Sequence, residues 1–308
     1  VHDEQRSGAL RFKEPETGGG WLNNDASMQT PPWTSLRELE NASWKMQDDA
    51  ANDDPHYLEW LNLLIAPGSS IGGARPKAGV RDPDGDLWIA KFPGRADSRD
   101  MAAWEMLVHQ LAVKASLWVA DAELHQFGDG HRTFMTRRFD RVQGAGGAER
   151  LHFASAMTLL GHADGDDAHA GASYLELVEF LIRQGAQTNE DLEELWRRIV
   201  FSIAVQNTDD HRRNHGFLLT ESGWKLSPAY DLNPQPDGAG LSLNISETDN
   251  ALSFDLALEV APFFRLNEEG AAAILREVKE AVADWERHAK TLGIARSEQE
   301  VMRNAFNL

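Results

Sequence analysis

The chain has 308 residues, 42% of them hydrophobic, so it is long enough to bury a large core and to form more than one domain. Its 49 acidic residues against 30 basic residues give a net charge of -19, which disfavours broad binding to a nucleic-acid backbone. The absence of cysteine excludes disulfides and thiolate metal sites, and no apolar run reaches the ~20 residues of a membrane span. We therefore expect a globular, cytoplasmic protein of two lobes that does not enter a membrane.

Residues 1–50 are rich in glycine, proline, asparagine and aspartate, which predicts a loop-rich N-terminal segment with one strand-like run, ALRF. Because the sequence starts with valine, we expect a piece of a longer protein. Residues 51–138 are expected to form a small, mainly β lobe. Here YLEWLNLLIA and RDMAAWEMLVHQLA predict helices, and the turn DPDGD between two strand-like runs predicts a hairpin. Two further strands are predicted over LWVADAEL and HRTFMTRRF, around the turn GDG.

Residues 139–308 show mostly helical periodicity, and we predict a larger helical lobe there. The helical runs are ASAMTLLGH, SYLELVEFLIRQ, NEDLEELWRRIVFSIAV and EEGAAAILREVKEAVADWERHAKTLG. Only GFLL and WKLSPAYDL, on either side of the turn TESG, predict strands. The sequence therefore predicts an α+β fold with a small, mainly β N-lobe and a larger helical C-lobe.

Lys91 ends the strand-like run LWIAK, where alternation places it on the same face as Leu87 and Ile89. An ammonium group in line with apolar side chains needs an anion, and Glu105 falls on the apolar face of the next predicted helix. Kinase-type folds hold ATP phosphates with such a lysine and glutamate. A strand-end lysine that reaches water is the alternative interpretation.

The loop SSIGGARPKAG precedes the predicted hairpin, and Gly72, Gly73 and Gly79 would allow its backbone N–H groups to turn toward an anion. The spacing matches neither G-x-G-x-x-G nor G-x-x-x-x-G-K-[ST], which disfavours a Rossmann or Walker-type nucleotide site. The loop is therefore a candidate phosphate-binding loop of another kind.

The densest polar stretch, NTDDHRRNHG, follows an apolar helix that ends near Asn207. Polar groups at the end of a rigid, buried helix are well placed for catalysis. Asp209 and Asn214 have a spacing at which the carboxylate can accept a proton from a hydroxyl while the amide oxygen holds a metal. Asp231 follows the next predicted hairpin as a further hard oxygen ligand for Mg²⁺. A solvated acidic loop that caps a helix would suit any one of these residues but explains the set poorly.

A zinc site at His211 and His215 is the rival interpretation, because histidines four positions apart can share one face of a helix. In the zinc-protease pattern H-E-x-x-H the first histidine is followed by a glutamate, whereas here it is followed by Arg212. Two bulky arginines between the histidines also fit poorly beside a dication. We therefore disfavour zinc.

Five stretches together resemble the HipA family, the serine/threonine kinase toxins of bacterial toxin–antitoxin modules: SSIGGARPKAG, WIAKF, FMTRRFDR, NTDDHRRNHGFLL and LSPAYDLNP. The resemblance runs from about residue 60 to the C-terminus, and D-x-H-x-x-N followed by Y-D is its most diagnostic part. It implies a protein-kinase-like, two-lobed fold that uses ATP and Mg²⁺ to phosphorylate a protein hydroxyl. By position, Asp209 resembles the catalytic base, Asn214 and Asp231 the metal ligands, and Lys91 the phosphate-binding lysine.

The resemblance also implies further contacts with the nucleotide. His211 would lie beside it, and Arg138 and Phe139 would meet adenine at the hinge between the lobes. Ser70 would be a regulatory autophosphorylation site whose modification inactivates the kinase. The glycine-rich loop would supply five nucleotide-binding residues: Ser70, Ile71, Gly72, Gly73 and Ala74.

The expected partners also follow from the resemblance. They are ATP, a protein substrate for which an aminoacyl-tRNA synthetase is one candidate, and a HipB-like antitoxin that provides the only link to nucleic acid. Family members carry an N-terminal subdomain, of which only a remnant around SGALRF is predicted here. A small-molecule kinase of the same architecture and a catalytically silent partner in an antitoxin or repressor complex are the alternatives. The presence of all the predicted catalytic and metal-binding residues argues against silence.

Overall fold

The protein forms two units that alternate along the chain in a computed structural model. The first unit comprises Val1–Ala103 and Asp121–His152, and the second comprises Trp104–Ala120 and Phe153–Leu308. The predicted phosphate-binding residues Ser70, Ile71, Gly72, Gly73 and Ala74 lie outside the residues that the structure describes. The described residues are 2–14, 20–25, 29–48, 51–58, 60–61, 64, 75–128, 130, 132–144 and 147–308.

The first unit contains a four-stranded antiparallel sheet. Its strands are β1 (Lys77–Arg81), β2 (Leu87–Lys91), β3 (Ala122–His125) and β4 (Thr133–Arg137). They lie in the order β1-β2-β4-β3, with β1 paired to β2 and β3 paired to β4. The hairpin predicted from the turn DPDGD is therefore confirmed, as are the two strands predicted around GDG, although β3 is shorter than the run that predicted it.

The turn between β1 and β2 is held by Asp82. Its Oδ1 accepts hydrogen bonds from the backbone N–H groups of Asp84 (3.0 Å) and Asp86 (2.8 Å), and its Oδ2 accepts one from the Trp88 indole (2.8 Å). Gly85 has a φ of 91°, a conformation that favours glycine. The sequence DPDGD thus builds the turn through its first aspartate and its glycine, and so fixes the register of the strand that ends at Lys91.

Helix α1 (Leu36–Met46) lies in the N-terminal segment for which the sequence analysis predicts loops. Leu36 and Leu39 are each 1% exposed and share an apolar cluster with Val80 and Met135 of the sheet. The spacing of the two leucines is the sequence signal for this helix, but it covers a single turn among polar residues. Packing against the sheet, rather than local propensity, accounts for the helix.

A hairpin of two short strands, β5 (Arg141–Gly144) and β6 (Gly147–Arg150), also belongs to the first unit. The sequence does not predict a strand here, because RVQGAGGAER is rich in glycine and poor in β-branched residues. The strand-like run ALRF, residues 9–12, is not part of a strand.

The second unit is mainly helical. Residues 268–293, predicted as one helix, form two helices that are separated at Ala283 and Asp284. The helices are α2 (Met101–Lys114), whose first residues belong to the first unit, α3 (Ala156–Leu160), α4 (Tyr174–Gln184), α5 (Thr188–Ala204), α6 (Phe254–Val260), α7 (Glu268–Val282), α8 (Trp285–Thr291) and α9 (Arg296–Met302). In the part of the chain that the structure describes, every helix is too short or too polar to cross a membrane.

A three-stranded sheet accompanies these helices, with strands β7 (His152–Ser155), β8 (Gly216–Thr220) and β9 (Gly223–Leu226) in the order β7-β8-β9. The antiparallel pairing of β8 with β9 confirms the hairpin predicted around TESG. Strand β9 ends at Leu226, so it stops well before Asp231, to which the predicted strand extended.

Helix α5 is buried along most of its length, as its apolar sequence predicts. The side chains of Leu195–Ala204 are all buried. The Trp196 indole donates to the carbonyl of Ala257 (2.9 Å), and the guanidinium of Arg198 donates to Glu194 (2.8 Å) and to the carbonyl of Ser227 (2.8 Å). The helix therefore provides a rigid base for the loop that follows it.

Candidate active site

The loop after α5 begins with Asn207, which is fully buried. Its N–H donates to the carbonyl of Ser202 (2.9 Å), and its side-chain Oδ1 accepts a hydrogen bond from the N–H of Asn233 (3.2 Å). The N–H of Gln235 donates to the carbonyl of Gln206 (3.1 Å) in the same region. These bonds fasten the segment that follows Asp231 to the end of the helix that carries Asp209. Two of the predicted site segments are therefore adjacent.

Asp209 combines a fixed backbone with an exposed carboxylate. Its carbonyl accepts hydrogen bonds from the N–H of His211 (3.0 Å) and from the side chain of Asn214 (3.0 Å), while its side chain is exposed. A carboxylate in this setting can accept a proton from a hydroxyl brought next to it. An open cavity of about 320 Å³ adjoins it, lined by Thr208, Asp209, Gln235, Asp237 and Gly238.

Asn214 ends a short 3₁₀ turn, Arg212–Asn214, and is 8% exposed. Its N–H donates to the carbonyl of His211 (2.8 Å), and its Nδ2 donates to the carbonyl of Asp209 (3.0 Å). The second bond fixes the orientation of the amide, because only the nitrogen can donate to a carbonyl. Oδ1 is therefore the atom that this amide can offer to a metal ion.

Asp231 has a φ of 60°, an uncommon conformation for a residue other than glycine. Its Oδ1 accepts a hydrogen bond from Asn233 Nδ2 (3.3 Å). The preceding Tyr230 donates its hydroxyl hydrogen to the carbonyl of Arg213 (2.7 Å), and burial, followed by the charge of Asp231, raises its pKa above the ordinary value. Strained backbone of this kind is frequent at functional sites. It turns Asp231 away from the line of the strand that sequence reasoning assigned to it.

Asn214 Oδ1 and the Asp231 carboxylate are hard oxygen donors and fit Mg²⁺ by chemistry. Within the ranges that the structure describes, no group of three or more His, Cys, Asp or Glu side chains is arranged to hold a metal ion. Mg²⁺ commonly takes one or two protein oxygens and completes its coordination with phosphate oxygens and water. The two predicted ligands therefore suit a metal that arrives with a nucleotide better than a permanently bound one.

Asp210, next to the predicted base, is only 3% exposed. Its Oδ2 accepts hydrogen bonds from the Tyr174 hydroxyl (2.6 Å) and from Ser202 Oγ (3.3 Å), and its Oδ1 makes an ion-pair contact of 3.0 Å with His215 Nε2. Burial alone would raise the pKa of Asp210, but the neighbouring His215 and the hydrogen bond from the Tyr174 hydroxyl hold that pKa below the ordinary value. Asp210 therefore braces the loop from inside and is not available to a substrate.

The two histidines of the rejected zinc site are engaged separately. His215 contacts Asp210 at 3.0 Å, whereas His211 Nε2 accepts a hydrogen bond from the Arg213 guanidinium (2.9 Å). Because a guanidinium only donates, His211 must carry its proton on Nδ1. That Nδ1 is buried and has no hydrogen-bond partner among the described residues.

The contribution of helix α4 to the candidate site could not be predicted from the sequence. The guanidinium of Arg212 donates to Glu176, whose Oε2 also accepts a hydrogen bond from the N–H of Ser173 (3.1 Å) in a capping box. With the Tyr174 bond to Asp210, the first turn of α4 holds two residues of the loop that follows α5, Asp210 and Arg212. The pattern S-x-x-E at Ser173–Glu176 is a known signal for the start of a helix. It does not indicate which distant residues, such as Arg212, this turn of the helix contacts.

Lys91 belongs to the first unit and is 8% exposed at the end of β2. It lies opposite Phe134 in the sheet, with Nζ 5.7 Å from the centre of that ring. Glu105 on α2 is 5% exposed. Their pairing would join the two units and stays a prediction, as does the contact of Lys91 with phosphate.

Arg138 is 6% exposed, and its side chain is committed to protein groups. Its guanidinium donates to Asp140 (2.9 and 2.7 Å) and to the carbonyls of Gln5 (3.0 Å) and Arg6 (3.1 Å). Phe139 beside it is partly buried. If these two residues meet adenine, as the resemblance implies, Arg138 must do so through its main chain.

Comparison with solved structures supports the fold. HipA of Shewanella oneidensis MR-1, from a toxin–antitoxin complex with HipB and operator DNA, matches with a TM-score of 0.59 at 18% identity. The match covers 77% of this chain and 62% of that one, so the chain spans about 62% of the HipA molecule. The Helicobacter pylori proinflammatory kinase CtkA matches with a TM-score of 0.45 at 11% identity, over 70% of this chain and 94% of that one. No curated protein matches.

The predicted α+β, protein-kinase-like fold, with a small unit rich in strands and a larger helical unit, is confirmed. The family model of the HipA-like C-terminal domain matches residues 69–285, a span that contains all the predicted site residues. It is also more than half of the 308 residues. The chain therefore belongs to the HipA family through its HipA-like C-terminal domain.

Proposed function

We propose that this protein is an ATP-dependent serine/threonine protein kinase and the toxin of a HipA-type toxin–antitoxin module. The observation that carries the proposal is the loop in which Asn214 Nδ2 donates to the carbonyl of Asp209 (3.0 Å) while the Asp209 carboxylate is exposed. That bond fixes the predicted base and the predicted metal ligand relative to each other. Membership of the HipA family supports the same assignment.

Each residue has a separate role in the proposed reaction. Asp209 accepts the proton of the substrate hydroxyl as that oxygen bonds to the γ-phosphorus and the bond to ADP breaks. Asn214 and Asp231 hold Mg²⁺, Lys91 contacts the phosphates, and His211 lies beside the nucleotide. Mg-ATP, when bound, supplies the phosphoryl group and a metal charge that offsets the negative charge of the transition state.

Regulation and partners complete the proposal. Phosphorylation of Ser70, in the nucleotide-binding loop Ser70–Ala74, would add about -1.5 to -2 charges beside the ATP phosphates and weaken ATP binding. A HipB-like antitoxin is the proposed partner in the cytoplasm, supported by the HipB and operator DNA in the complex of the Shewanella protein. The net charge of -19 supports contact with nucleic acid only through that antitoxin.

The test is the nearly isosteric change Asp209→Asn. We expect it to reduce phosphate transfer from radiolabelled ATP, either to itself or to lysate proteins, by about 10²–10⁴-fold, the usual worth of a general base. Binding of Mg-ATP should persist, since Asp209 holds neither the metal nor the phosphates in this scheme.

Asp237→Asn is the matched control, because Asp237 is an exposed aspartate that lines the same cavity as Asp209. It should retain transfer within about threefold, since it has no assigned role in proton transfer. Loss of transfer on Asp237→Asn together with full activity of Asp209→Asn would show that the base has been assigned to the wrong residue. Absence of transfer in the unchanged protein, with every candidate substrate, would favour the silent binding partner.

A further inference from the structure

The N-terminal residues 2–8, here called the N-terminal strap, lie against the hairpin β5–β6. Three arginines at this hairpin donate to backbone carbonyls of the strap. Arg138 reaches residues 5 and 6 (3.0 and 3.1 Å), and Arg150 reaches residue 3 (2.9 Å). Arg141 reaches residues 4, 6 and 8 (3.1, 2.7 and 3.3 Å). The main chain of the strap is therefore held by three arginine side chains that come after strand β4 in the sequence.

Asp140 joins the strap to the hairpin at its centre. It is 5% exposed and accepts hydrogen bonds from Arg138 (2.9 and 2.7 Å), from Arg141 (2.9 Å) and from the N–H of Gly8 (2.6 Å). Burial alone would raise its pKa, but the two guanidinium groups hold the pKa below the ordinary value. Asp140 is therefore a buried carboxylate, and its removal would leave two guanidinium groups without their counter-charge.

Asp3 forms a second buried contact at the start of the strap. It is 2% exposed and pairs with Arg6 (3.2 Å), Arg11 (2.9 Å) and Arg150 (3.1 Å). Two of these arginines belong to the N-terminal segment, whereas Arg150 ends β6. The strap is thus fastened at both ends, by Asp3 to β6 and by Gly8 to Asp140.

These contacts fix the main chain around Phe139. The Arg138 N–H donates to the carbonyl of Leu87 on β2 (2.8 Å), and the Asp140 carbonyl accepts from the N–H of Leu151 (3.0 Å). The side chains of Arg138 and Asp140 are held by the strap, so residues on both sides of Phe139 are fixed by backbone and side chain together. A segment held in this way can present its main-chain groups in one fixed orientation.

We propose that the N-terminal strap is a positioning element for the base of the bound nucleotide. It holds Arg138–Asp140 so that the main chain at Arg138 and Phe139 meets adenine. The inference rests on the proposed function, because it needs a bound ATP, and it adds to that function the adenine contact that the family resemblance implies for these two residues. It assigns Asp3, Gly8 and Asp140 as positioning residues that do not touch the ligand themselves.

The test compares two ligands that share phosphates but differ in the base. Calorimetric titrations of the full chain with Mg-ATP and with Mg-tripolyphosphate separate the two parts of the site. We expect Asp140→Asn to weaken Mg-ATP about tenfold, as loss of one main-chain hydrogen bond to the base would. Mg-tripolyphosphate should change by less than about twofold. If Asp140→Asn does not fold, Asp3→Asn loosens the same strap from its other end and should show the same selective loss.

Glu4→Gln is the matched control. Glu4 belongs to the strap, but its carboxylate pairs with Arg81 on β1 and accepts from the N–H of Thr30 (3.0 Å), away from residues 138–140. The Glu4→Gln variant should bind Mg-ATP and Mg-tripolyphosphate as tightly as the unchanged protein does. One result would overturn the inference but leave the proposed function intact. In that result, Asp140→Asn and Asp3→Asn lower the melting temperature, yet both variants bind the two ligands as tightly as the unchanged protein does. The strap would then be a structural element only. Failure of the unchanged protein to bind either ligand would overturn the proposed function, and the inference with it.

Discussion

Asp209 and Asp210 are neighbours in the chain, but their carboxylates lie in opposite surroundings. Asp209 is exposed beside the open cavity, whereas Asp210 is 3% exposed and bonded to Tyr174 (2.6 Å). The tight loop after α5 turns one residue outward and the next inward, because successive side chains in a turn point in different directions. One aspartate therefore faces solvent at the cavity while the other keeps the loop in place.

We expect Asp210→Asn to lower the free energy of unfolding by about 1–3 kcal/mol. The amide can still accept the bond from Tyr174, but it loses the charge beside His215 and brings an additional donor into a buried site. Urea unfolding measures the change, and Asp209→Asn should stay within about 0.5 kcal/mol of the unchanged protein because its side chain is exposed. Equal stabilities of the two variants would contradict the bracing role of Asp210.

The sequence predicts candidate catalytic and metal-binding residues, but it does not predict the residues that hold them in place. Asp209, Asn214 and Asp231 stand in a recognisable order, and the structure places their segments side by side through the Asn207 bond to Asn233. Tyr174, which donates a hydrogen bond to Asp210, is 36 positions away in the chain. Such a pair leaves no periodic pattern, because it depends on how α4 packs against the loop.

At the scale of elements, helix α5 is buried at both ends of its apolar stretch. Asp191, in its first turn, is 2% exposed and accepts hydrogen bonds from the N–H of Leu226 on β9 (3.1 Å) and from Gln187 Nε2 (3.0 Å). Burial raises the pKa of Asp191 to about 6 despite these bonds. The helix that precedes the proposed catalytic loop therefore has, in its first turn, a carboxyl group that holds its proton unusually well.

This shift predicts a pH dependence of stability. Between pH about 4 and pH about 6 the folded protein binds the Asp191 proton more tightly than the unfolded chain does, so this contribution to stability is lost as the pH rises through that window. The quantity to follow is the free energy of unfolding of the unchanged protein minus that of Asp191→Asn. We expect this difference to fall by an amount of order 1 kcal/mol or more from pH 4 to pH 6. Parallel urea titrations of both proteins at each pH measure it. A difference that is flat, or that grows with pH, would contradict the raised pKa.

The elements that were predicted correctly have strong local signals, and those that were missed do not. The turn DPDGD specifies the hairpin β1–β2 through Asp82 and Gly85, and α5 has a long apolar pattern. Helix α1 and the hairpin β5–β6 were missed because they depend on distant partners, the sheet core and the N-terminal strap. Tertiary contacts here override weak local propensity.

At the scale of the whole molecule, most of α2 belongs to the helical unit, from Trp104 onward. The predicted lobe boundaries, at residues 50 and 138, put all of this helix in the first lobe and stay predictions. Within the second unit, Trp104 packs on Trp285 and Phe306 with ring centres 6.4 and 6.3 Å apart, and its indole donates to Glu298 (3.0 Å). Contacts with helices near the C-terminus, which sequence order does not reveal, therefore hold α2.

The proposed nucleotide site leads to a prediction for the stability of the whole molecule. A ligand that binds only the folded state stabilises it by mass action, by about 2.7 kcal/mol at a concentration 100 times its Kd. For a chain of this size that corresponds to a rise in Tm of several degrees. We expect Mg-ATP to produce this rise in protein whose Ser70 is unmodified, as checked by peptide mass spectrometry, and ATP with a chelator to produce much less. Differential scanning fluorimetry measures both.

Asp231, one of the two proposed metal ligands, allows a stricter test of this prediction. Asp231→Asn should remove most of the difference between ATP with and without Mg²⁺, because it takes away a charged oxygen ligand. Asp237→Asn, also at the cavity, should leave that difference intact because Asp237 is not a proposed ligand. Two results would contradict the proposed site. One is an unchanged Tm for unmodified protein at millimolar Mg-ATP, and the other is an equal Mg²⁺ effect in the unchanged protein and in Asp231→Asn. The second would move the metal away from Asp231 even if the nucleotide still bound.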